Sequence, residues 1–248
     1  MKSDRIRVLS DLSAVSRAGA EEFLTVGNRA IGREDRFAVA LAGGSTPREL
    51  HRLLAGDEFR GEIDWSKVFF FFGDERDVSP DSIQSNFLMA KETLFDPLEI
   101  APENINRWPT EILDPIETAG CYQKRIIQFF ELQTGQFPRF DLIFLGMGDD
   151  GHTASLFPHT EALSETEKIA VANPVEKLDS YRLTLTYPAI NGAVKLVFLV
   201  SGEKKAKTLT QVLEGDYQPD RFPSQAVKPS DGDLLWLVDE AAAALLKG

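Results

Sequence analysis

Short apolar runs alternate with amphipathic stretches along the 248-residue chain, and this alternation limits its fold more than any other feature. Most of the runs are apolar at nearly every position, which is typical of strands covered on both faces. A strand, a helix and a second strand in succession form a parallel pair with a right-handed crossover. We therefore predict an α/β protein with a Rossmann-like, doubly wound, mostly parallel sheet and helices on both faces. The eight predicted strands are residues 6–9, 37–41, 68–72, 141–145, 169–172, 183–186, 195–200 and 234–238.

The stretches between these strands have apolar residues at helical spacing, and no repeat or low-complexity linker divides the chain. Residues 1–248 are therefore predicted to form a single domain. Residues 99–115, which contain several prolines and asparagines, are predicted to be a long surface connection within it. The predicted helices are residues 15–31, 47–54, 83–94, 116–132, 204–213 and 240–247.

The formal net charge of −12 at pH 7 repels polyanions, so neither nucleic acid nor an anionic membrane is expected as a partner. A bound phosphate would need a local positive potential, such as a helix N-terminus or a few placed cations. The single cysteine, Cys121, excludes an intrachain disulfide and is expected to be a small core residue of a helix. No apolar segment has the length of a signal peptide or a membrane span, so a cytoplasmic location is expected.

Ligands of an open parallel sheet bind beside the carboxyl ends of its strands, so the residues after each strand are candidates for a site. After residues 37–41 the chain reads Gly43-Gly44-Ser45-Thr46-Pro47. Glycine permits a tight turn, a hydroxyl can cap a helix, and proline suits a first helical turn. This segment predicts either an anion-binding helix N-terminus or an ordinary strand-to-helix turn. It is not a Walker P-loop, because it lacks Gly-Lys-Ser/Thr at the required spacing.

After residues 68–72 the chain reads Asp74-Glu75-Arg76, and Ser85-Asn86 follows a few residues later. An acidic pair next to an arginine is often only a solvated ion pair. In a functional interpretation, Arg76 binds a phosphate or carboxylate while Asp74 orients a polar partner. The residues by themselves leave both interpretations open.

The segment of residues 146–158 spells Gly146-x-Gly148-x-x-Gly151, which matches a dinucleotide-binding fingerprint. Such a site requires a helix that opens at the third glycine, yet Pro158 would interrupt that helix within about two turns. Two aspartates also lie where a pyrophosphate would bind, and their charge would repel it. A dinucleotide site is therefore rejected for this loop.

His152 lies in the same loop, next to Gly151, and Asp150 is near enough to fix the tautomer of its ring or to stabilise an imidazolium. A neutral histidine at a strand end can act as a general base that activates water, although an isolated Asp-Gly-His is as often a structural turn. His51, on an early helix, is expected to be structural and partly exposed. No metal site is expected from His152, His159 and the aspartates, because they lack a recognised ligand spacing.

These motifs occur in one order that resembles the 6-phosphogluconolactonases of the glucosamine-6-phosphate isomerase/6-phosphogluconolactonase family. The resemblance extends from about residue 9 to the final helix. Each motif is weak alone, whereas the ordered set is specific. The set comprises Gly43-Gly44-Ser45-Thr46-Pro47, Asp74-Glu75-Arg76 with Ser85-Asn86, Gly146-x-Gly148-x-Asp150-Gly151-His152-Thr153-Ala154-Ser155-Leu156-Phe157-Pro158, Arg182-Leu183-Thr184 and Gly202-x-x-Lys205.

The resemblance implies hydrolysis of 6-phospho-D-glucono-1,5-lactone to 6-phosphogluconate in the oxidative pentose phosphate pathway, with neither metal nor cofactor. It makes His152 the general base, Asp150 its orienting neighbour, and Asp74 a residue that holds Arg76 or His152. The oxyanion would be stabilised by backbone N–H groups of the glycine turn or by a cation. A monomer or weak homo-oligomer is expected. The residues expected to hold the phosphorylated lactone are Gly43, Gly44, Ser45, Thr46, Arg76, Arg182 and Lys205.

Two other functions are weighed against this one. Glucosamine-6-phosphate deaminases are similar but carry Asp-Glu-Tyr in place of Asp74-Glu75-Arg76 and Asn-Glu-Pro in place of Leu156-Phe157-Pro158. The second of these motifs supplies a glutamate for ring-opening proton chemistry, so its absence here favours the lactonase. A sugar-phosphate sensor would usually carry a basic DNA-binding segment, and this acidic chain shows no helix-turn-helix extension.

Overall fold

Nine β-strands and seven α-helices alternate along residues 5–247, the part of the chain that the computed structural model describes. The strands are β1 (Ile6–Leu9), β2 (Phe37–Leu41), β3 (Val68–Phe72), β4 (Asp74–Arg76), β5 (Leu142–Leu145), β6 (Ala170–Val175), β7 (Ser180–Leu185), β8 (Lys195–Val200) and β9 (Asp233–Asp239). The helices are α1 (Leu12–Glu34), α2 (Ser45–Ala55), α3 (Asn86–Ala90), α4 (Pro115–Phe130), α5 (Tyr187–Asn191), α6 (Ala206–Glu214) and α7 (Glu240–Ala243). None of the described helices is long and apolar enough to cross a membrane.

Six of the strands form one parallel sheet in the order β1-β9-β8-β5-β2-β3. Four of them begin and end at the predicted residues, whereas β5 begins one residue later and β9 extends one residue further at each end. This agreement has a physical cause, because strands buried on both faces need apolar residues throughout. The prediction of a mostly parallel α/β sheet is confirmed.

The phenylalanines of β3 show that helices cover both faces of this sheet. Phe70 packs on one face against Phe23 of α1, with ring centroids 6.5 Å apart. Its neighbour Phe71 packs on the opposite face against Phe129 of α4, with centroids 5.0 Å apart. Successive side chains of a strand point to opposite faces, so the two helices enclose the sheet between them. The predicted doubly wound arrangement is therefore confirmed.

A second sheet holds the remaining strands in the antiparallel order β4-β7-β6. The predicted strands 169–172 and 183–186 overlap β6 and β7 of this sheet, each with one residue outside, and do not belong to the parallel sheet. The predicted list omits β4 altogether, because its three residues are all charged and give no apolar signal. This small sheet aligns Arg76 of β4 directly opposite Arg182 of β7.

Residues 99–115 are not simply the surface connection that was predicted. Part of this segment packs along the outer edge of β3, the last strand of the parallel sheet. Ile105 forms an isolated parallel bridge with Phe70, and the backbone N–H of the next residue donates to the Phe70 carbonyl at 2.8 Å. Trp108 is buried and stacks on Tyr122 of α4 with ring centroids 3.9 Å apart. An uncovered edge strand of four phenylalanines would pair with other chains, and this segment prevents that.

Three other local predictions need correction. The helix predicted at residues 83–94 begins at Asn86, where Ser85 accepts a hydrogen bond from the Leu88 N–H, and it continues as a π-helical turn over Lys91–Phe95. The last predicted helix, residues 240–247, is reduced to α7. Cys121 lies on α4 as expected but is half-buried, so it is not a core residue.

His51 on α2 is buried, with 1% of its surface exposed, and the expectation of a partly exposed ring was wrong. Its Nδ1 lies 3.3 Å from the Thr93 hydroxyl oxygen, and that hydroxyl donates its own hydrogen to the Met89 carbonyl at 2.6 Å. The Thr93 oxygen can therefore only accept from Nδ1–H, which leaves Nε2 as an acceptor without a partner. Burial disfavours a charged ring and lowers the pKa of His51 to about 3.

We expect His51 to make the fold less stable in acid. The unfolded ring takes up its proton near pH 6.5 and the folded ring only near pH 3. Its stabilising contribution is therefore complete above pH 6.5 and falls by about 1.4 kcal/mol per pH unit as the pH decreases towards 3. Urea denaturation across this range should give a shallower pH dependence for His51→Leu than for the natural chain. A His159→Asn variant is the control, since His159 is exposed; equal slopes for all three chains would contradict the assignment.

Candidate active site

The candidate site is a cavity at the carboxyl ends of β2, β3 and β5. The chain continues from β2 outward to β3, and from β5 in the opposite direction to β8 and β9, so the strand order reverses between β2 and β5. Where two loops run in opposite directions from such a switch point, a crevice forms between them. The inner part of the cavity is lined by Gly43 after β2, Gly73 after β3 and residues 146–149 after β5. A second, outer part extends to Lys177, Leu178 and Arg182, and His152 lines both parts.

Helix α2 begins beside this cavity, as the glycine-rich turn predicts. Ser45 is its first residue, and no side chain caps its N-terminus, so its first backbone N–H groups lack an intrahelical partner. Gly43 lines the cavity, whereas Gly44, Ser45 and Thr46 do not line either part of it. A Cβ atom at position 43 would lie 1.8 Å from Oδ1 of Asn86, so only glycine fits there.

Glu75, in the middle of β4, is a buried carboxylate that anchors this side of the site. It accepts hydrogen bonds from the backbone N–H groups of Arg76, Asn86 and Phe87 and from the Ser85 hydroxyl, at 2.7–3.1 Å. Burial raises the pKa of Glu75, although these hydrogen bonds oppose the rise. The carboxylate thereby joins the start of α3 to β4 and fixes the strand that carries Asp74 and Arg76. No sequence pattern predicts this role of Glu75.

Within residues 5–247, Asp74 forms no hydrogen bond or ion pair with Arg76 or His152, the partners that the family resemblance implied. Its Oδ2 accepts from the Ser155 hydroxyl at 2.7 Å, and its Oδ1 lies 3.4 Å from the Asn86 amide nitrogen. Ser155 belongs to the loop after β5, so Asp74 joins that loop to β4. Its carboxylate also lines the cavity, so it remains a candidate to contact a ligand.

Two arginines concentrate positive charge in the outer part of the cavity. The Arg76 guanidinium donates to the Gln84 carbonyl at 2.5 Å, and that of Arg182 donates to the Ser180 hydroxyl at 2.9 Å. Neither guanidinium forms an ion pair with a carboxylate of residues 5–247. Burial, reinforced by the neighbouring charge of Arg76, lowers the pKa of Arg182. Two unneutralised cations on directly opposed strand positions are a strong attraction for an anion.

Lys205 brings a third cation to the inner part of the cavity. It lies in the 3₁₀ turn Glu203–Lys205 that precedes α6. Its Nζ is 2.6 Å from Oδ1 of Asp149, an ion pair that the sequence did not suggest. The carboxylate of Asp149 is largely exposed, whereas Lys205 is only 25% exposed, so an anion in the cavity can compete for the ammonium.

His152 and Asp150 form the hydrogen-bonded pair that the Asp-Gly-His motif predicts. Nδ1 of His152 lies 2.5 Å from Oδ1 of Asp150, and the same oxygen accepts from the His152 backbone N–H at 3.2 Å. Burial disfavours the carboxylate, but hydrogen bonds from His152 and Lys177 outweigh it and lower the pKa of Asp150 below its usual range. An ionised Asp150 accepts from Nδ1–H and therefore leaves the Nε2 lone pair of a neutral ring free to take a proton.

Phe157 and Lys177 complete the surroundings of this pair. The Phe157 ring stacks on the imidazole, with centroids 4.1 Å apart and planes at 28°. Lys177 forms an ion pair with Oδ2 of Asp150 and places its ammonium 4.7 Å from the centre of the Phe157 ring. No sequence motif pointed to Lys177, because it lies 27 residues after Asp150 in a hairpin turn.

The loop of residues 146–158 has the glycine spacing of a dinucleotide site for a different reason. No helix starts at Gly151, where the described chain instead makes a series of turns. Gly148 makes room for the imidazole of His152, because a Cβ there would lie 2.1 Å from its Nδ1. Within residues 5–247, no group of three or more histidine, cysteine, aspartate or glutamate side chains is placed to hold a metal ion.

Comparisons with known proteins agree with this architecture. The family model described as "Glucosamine-6-phosphate isomerases/6-phosphogluconolactonase" matches residues 10–236. A protein of Nostoc sp. named 6-phosphogluconolactonase is 42% identical over 242 residues, which cover 97% of this chain and 98% of the relative.

Two solved structures show the same fold. The crystal structure of 6-phosphogluconolactonase from Thermotoga maritima superposes with a TM-score of 0.81 at 29% identity, covering 95% of this chain and 99% of the other. A monomeric glucosamine-6-phosphate deaminase superposes with a TM-score of 0.80 over 98% of this chain and 100% of the other, but at 19% identity, which shows the fold alone. The extent of the family match and the identity to its members establish that this chain belongs to the glucosamine-6-phosphate isomerase/6-phosphogluconolactonase family.

Proposed function

We propose that this chain is a 6-phosphogluconolactonase, which hydrolyses 6-phospho-D-glucono-1,5-lactone to 6-phosphogluconate. The observation that carries this proposal is the His152–Asp150 pair, which lines a cavity that also contains the unneutralised cations Arg76 and Arg182. A histidine base next to two arginine side chains suits a small phosphorylated ester as substrate. The curated relative from Nostoc sp. bears the name of this activity, which supports the assignment.

His152 acts as the general base in this mechanism. Asp150 accepts from Nδ1–H, so Nε2 removes a proton from water as the water oxygen bonds to the lactone carbonyl carbon. The tetrahedral intermediate then breaks its bond to the ring oxygen, which receives the proton from the imidazolium. The carbonyl oxygen becomes part of the product carboxylic acid, which ionises. An activated ester needs only a positioned water, one base and charge stabilisation for this reaction.

The cations around His152 are the groups that hold the phosphate in this proposal. Arg76 and Arg182 supply fixed guanidinium groups in the outer part of the cavity, and Lys205 exchanges its Asp149 partner for the phosphate in the inner part. The free N–H groups at the start of α2, at Gly44, Ser45 and Thr46, add positive potential next to Gly43. Backbone N–H groups of this glycine turn or one of the cations then stabilise the oxyanion.

The residues beside His152 favour lactone hydrolysis over deamination. The side chains of Leu156 and Phe157 are buried, and Phe157 stacks on the imidazole. An apolar side chain there cannot transfer protons during opening of an amino-sugar ring. Ammonia release from glucosamine 6-phosphate by the purified chain would therefore overturn the proposal.

A coupled assay tests the proposed function directly. Glucose 6-phosphate is oxidised in situ to the lactone, and 6-phosphogluconate is measured through its dehydrogenase. The natural chain should form product well above the rate of spontaneous hydrolysis. A chain that binds the lactone without exceeding the spontaneous rate would instead be a sugar-phosphate sensor.

We predict that His152→Asn lowers kcat by about 10²–10⁴, because asparagine has no basic nitrogen to accept the proton from water. The matched control is His159→Asn, which changes an exposed turn histidine whose φ of 60° asparagine tolerates. The control should retain the natural turnover. Near-natural turnover by His152→Asn would remove this histidine from the role of base.

A comparison of lactones with and without the phosphate distinguishes an effect on phosphate binding from an effect on the hydrolysis step. Lys205→Met should raise KM for the phosphorylated lactone by about tenfold or more, because it removes a charge-assisted contact, and should leave hydrolysis of unphosphorylated gluconolactone nearly unchanged. Lys204→Met is the control, since this neighbouring lysine is exposed and lines neither part of the cavity. An equal loss on both lactones would contradict phosphate binding by Lys205.

A further inference from the structure

We infer that Lys177 is a positioning residue for this reaction, which holds the Asp150 carboxylate towards His152 and offsets its negative charge so that the imidazole stays neutral. The inference rests on the proposed function, because it concerns the base of the same reaction. It assigns a role to a side chain of the β6–β7 hairpin, outside the loop that carries the base.

The side chains of Asp150, His152, Phe157 and Lys177 contact one another in a closed ring. Asp150 uses one oxygen, Oδ1, for Nδ1 of His152 at 2.5 Å and the other, Oδ2, for the ammonium of Lys177. The imidazole stacks on Phe157, and the ammonium of Lys177 lies near the same phenyl ring. Each member thus touches two others, so Lys177 limits rotation of the carboxylate away from the histidine.

Lys177 reaches this position from the second sheet. It lies in the 3₁₀ turn Glu176–Leu178, between the end of β6 and the start of β7, and the turn closes with Asp179 at a φ of 46°. The backbone N–H of Asp179 donates to the Glu176 carbonyl at 3.0 Å, which stabilises the turn. The hairpin therefore presents the lysine as part of a hydrogen-bonded turn.

The charge of Lys177 matters because a general base must be unprotonated. A lone carboxylate next to a histidine favours the imidazolium, which cannot accept a proton from water. An ammonium on the other carboxylate oxygen opposes that effect while leaving the Nδ1–H hydrogen bond in place. Lys177 therefore lets Asp150 select the tautomer of His152 without charging the ring. The other charged groups lining the cavity around His152 are Asp74, Arg76, Asp149, Arg182 and Lys205.

The experiment compares Lys177→Met, Lys177→Arg and the natural chain in the coupled assay from pH 5.5 to 8, with spontaneous hydrolysis subtracted. Methionine keeps an unbranched stem beside Phe157 but removes the charge, and arginine keeps the charge. We expect the acid limb of kcat/KM to move up by about 0.5–1 pH unit in Lys177→Met, which lowers kcat/KM about three- to tenfold on that limb. Lys177→Arg should retain the natural profile. Lys124→Met, an exposed lysine of α4, is the control for the change in net charge.

Two kinetic outcomes would overturn the inference. An unmoved acid limb in Lys177→Met, with kcat lowered equally at all pH values, would mean that the lysine is only structural. A KM that rises for the phosphorylated lactone alone would make Lys177 another phosphate ligand beside Arg76 and Arg182.

A titration of the histidine ring provides a readout that does not depend on turnover. The ¹⁵N shifts of the imidazole are followed by NMR against pH, and the His152→Asn spectrum identifies the signal. The midpoint should move to higher pH in Lys177→Met, and an unmoved midpoint would contradict the inference. Absence of lactonase activity in the natural chain would overturn the proposed function, whereas activity with an unmoved midpoint would overturn only the role of Lys177.

Discussion

The parallel pairing of β2 with β5 is the constraint on which the rest of the site depends. Both strands end at the same edge of the sheet, yet the chain continues from them in opposite directions. The turn after β2 becomes the start of α2, and the turn after β5 becomes the loop of His152. Because one sheet fixes both ends, Gly43 in the turn before α2 and His152 in the loop after β5 line one cavity.

The second sheet contributes charged side chains to the site. It brings Arg76 and Arg182 together and carries Lys177 towards Asp150. It is held to the rest of the site by polar contacts, of which the buried carboxylate of Glu75 and the Asp74–Ser155 hydrogen bond are the main ones. His152 and the two arginines thus lie on separate frameworks, the loop after β5 and the second sheet, whose relative position is set by these hydrogen bonds. Such bonds are costly to leave unmade, which gives the arrangement its precision.

The sequence predicted those features that obey local rules. The parallel strands were located to within one residue because full burial requires continuous apolar residues, and the Asp150–His152 pair follows from a spacing of two residues. Features decided by tertiary contact were missed or mistaken. β4 has three charged residues and no apolar pattern, and His51 looks polar although it is buried. The partners of Asp74 could not be predicted either, since its hydrogen bond to Ser155 spans 81 residues.

The opposed arginines also link ligand binding to the stability of the whole chain. Like charges placed directly across an antiparallel pair of strands repel each other, and the nearby carboxylates of Asp74 and Asp77 offset part of this repulsion at Arg182. An anion that bridges the two guanidinium groups removes this repulsion and binds only the folded chain. If the sugar phosphate of the proposed reaction binds there, occupancy and folding are thermodynamically coupled, and the chain would resist unfolding more strongly as that ligand becomes more abundant.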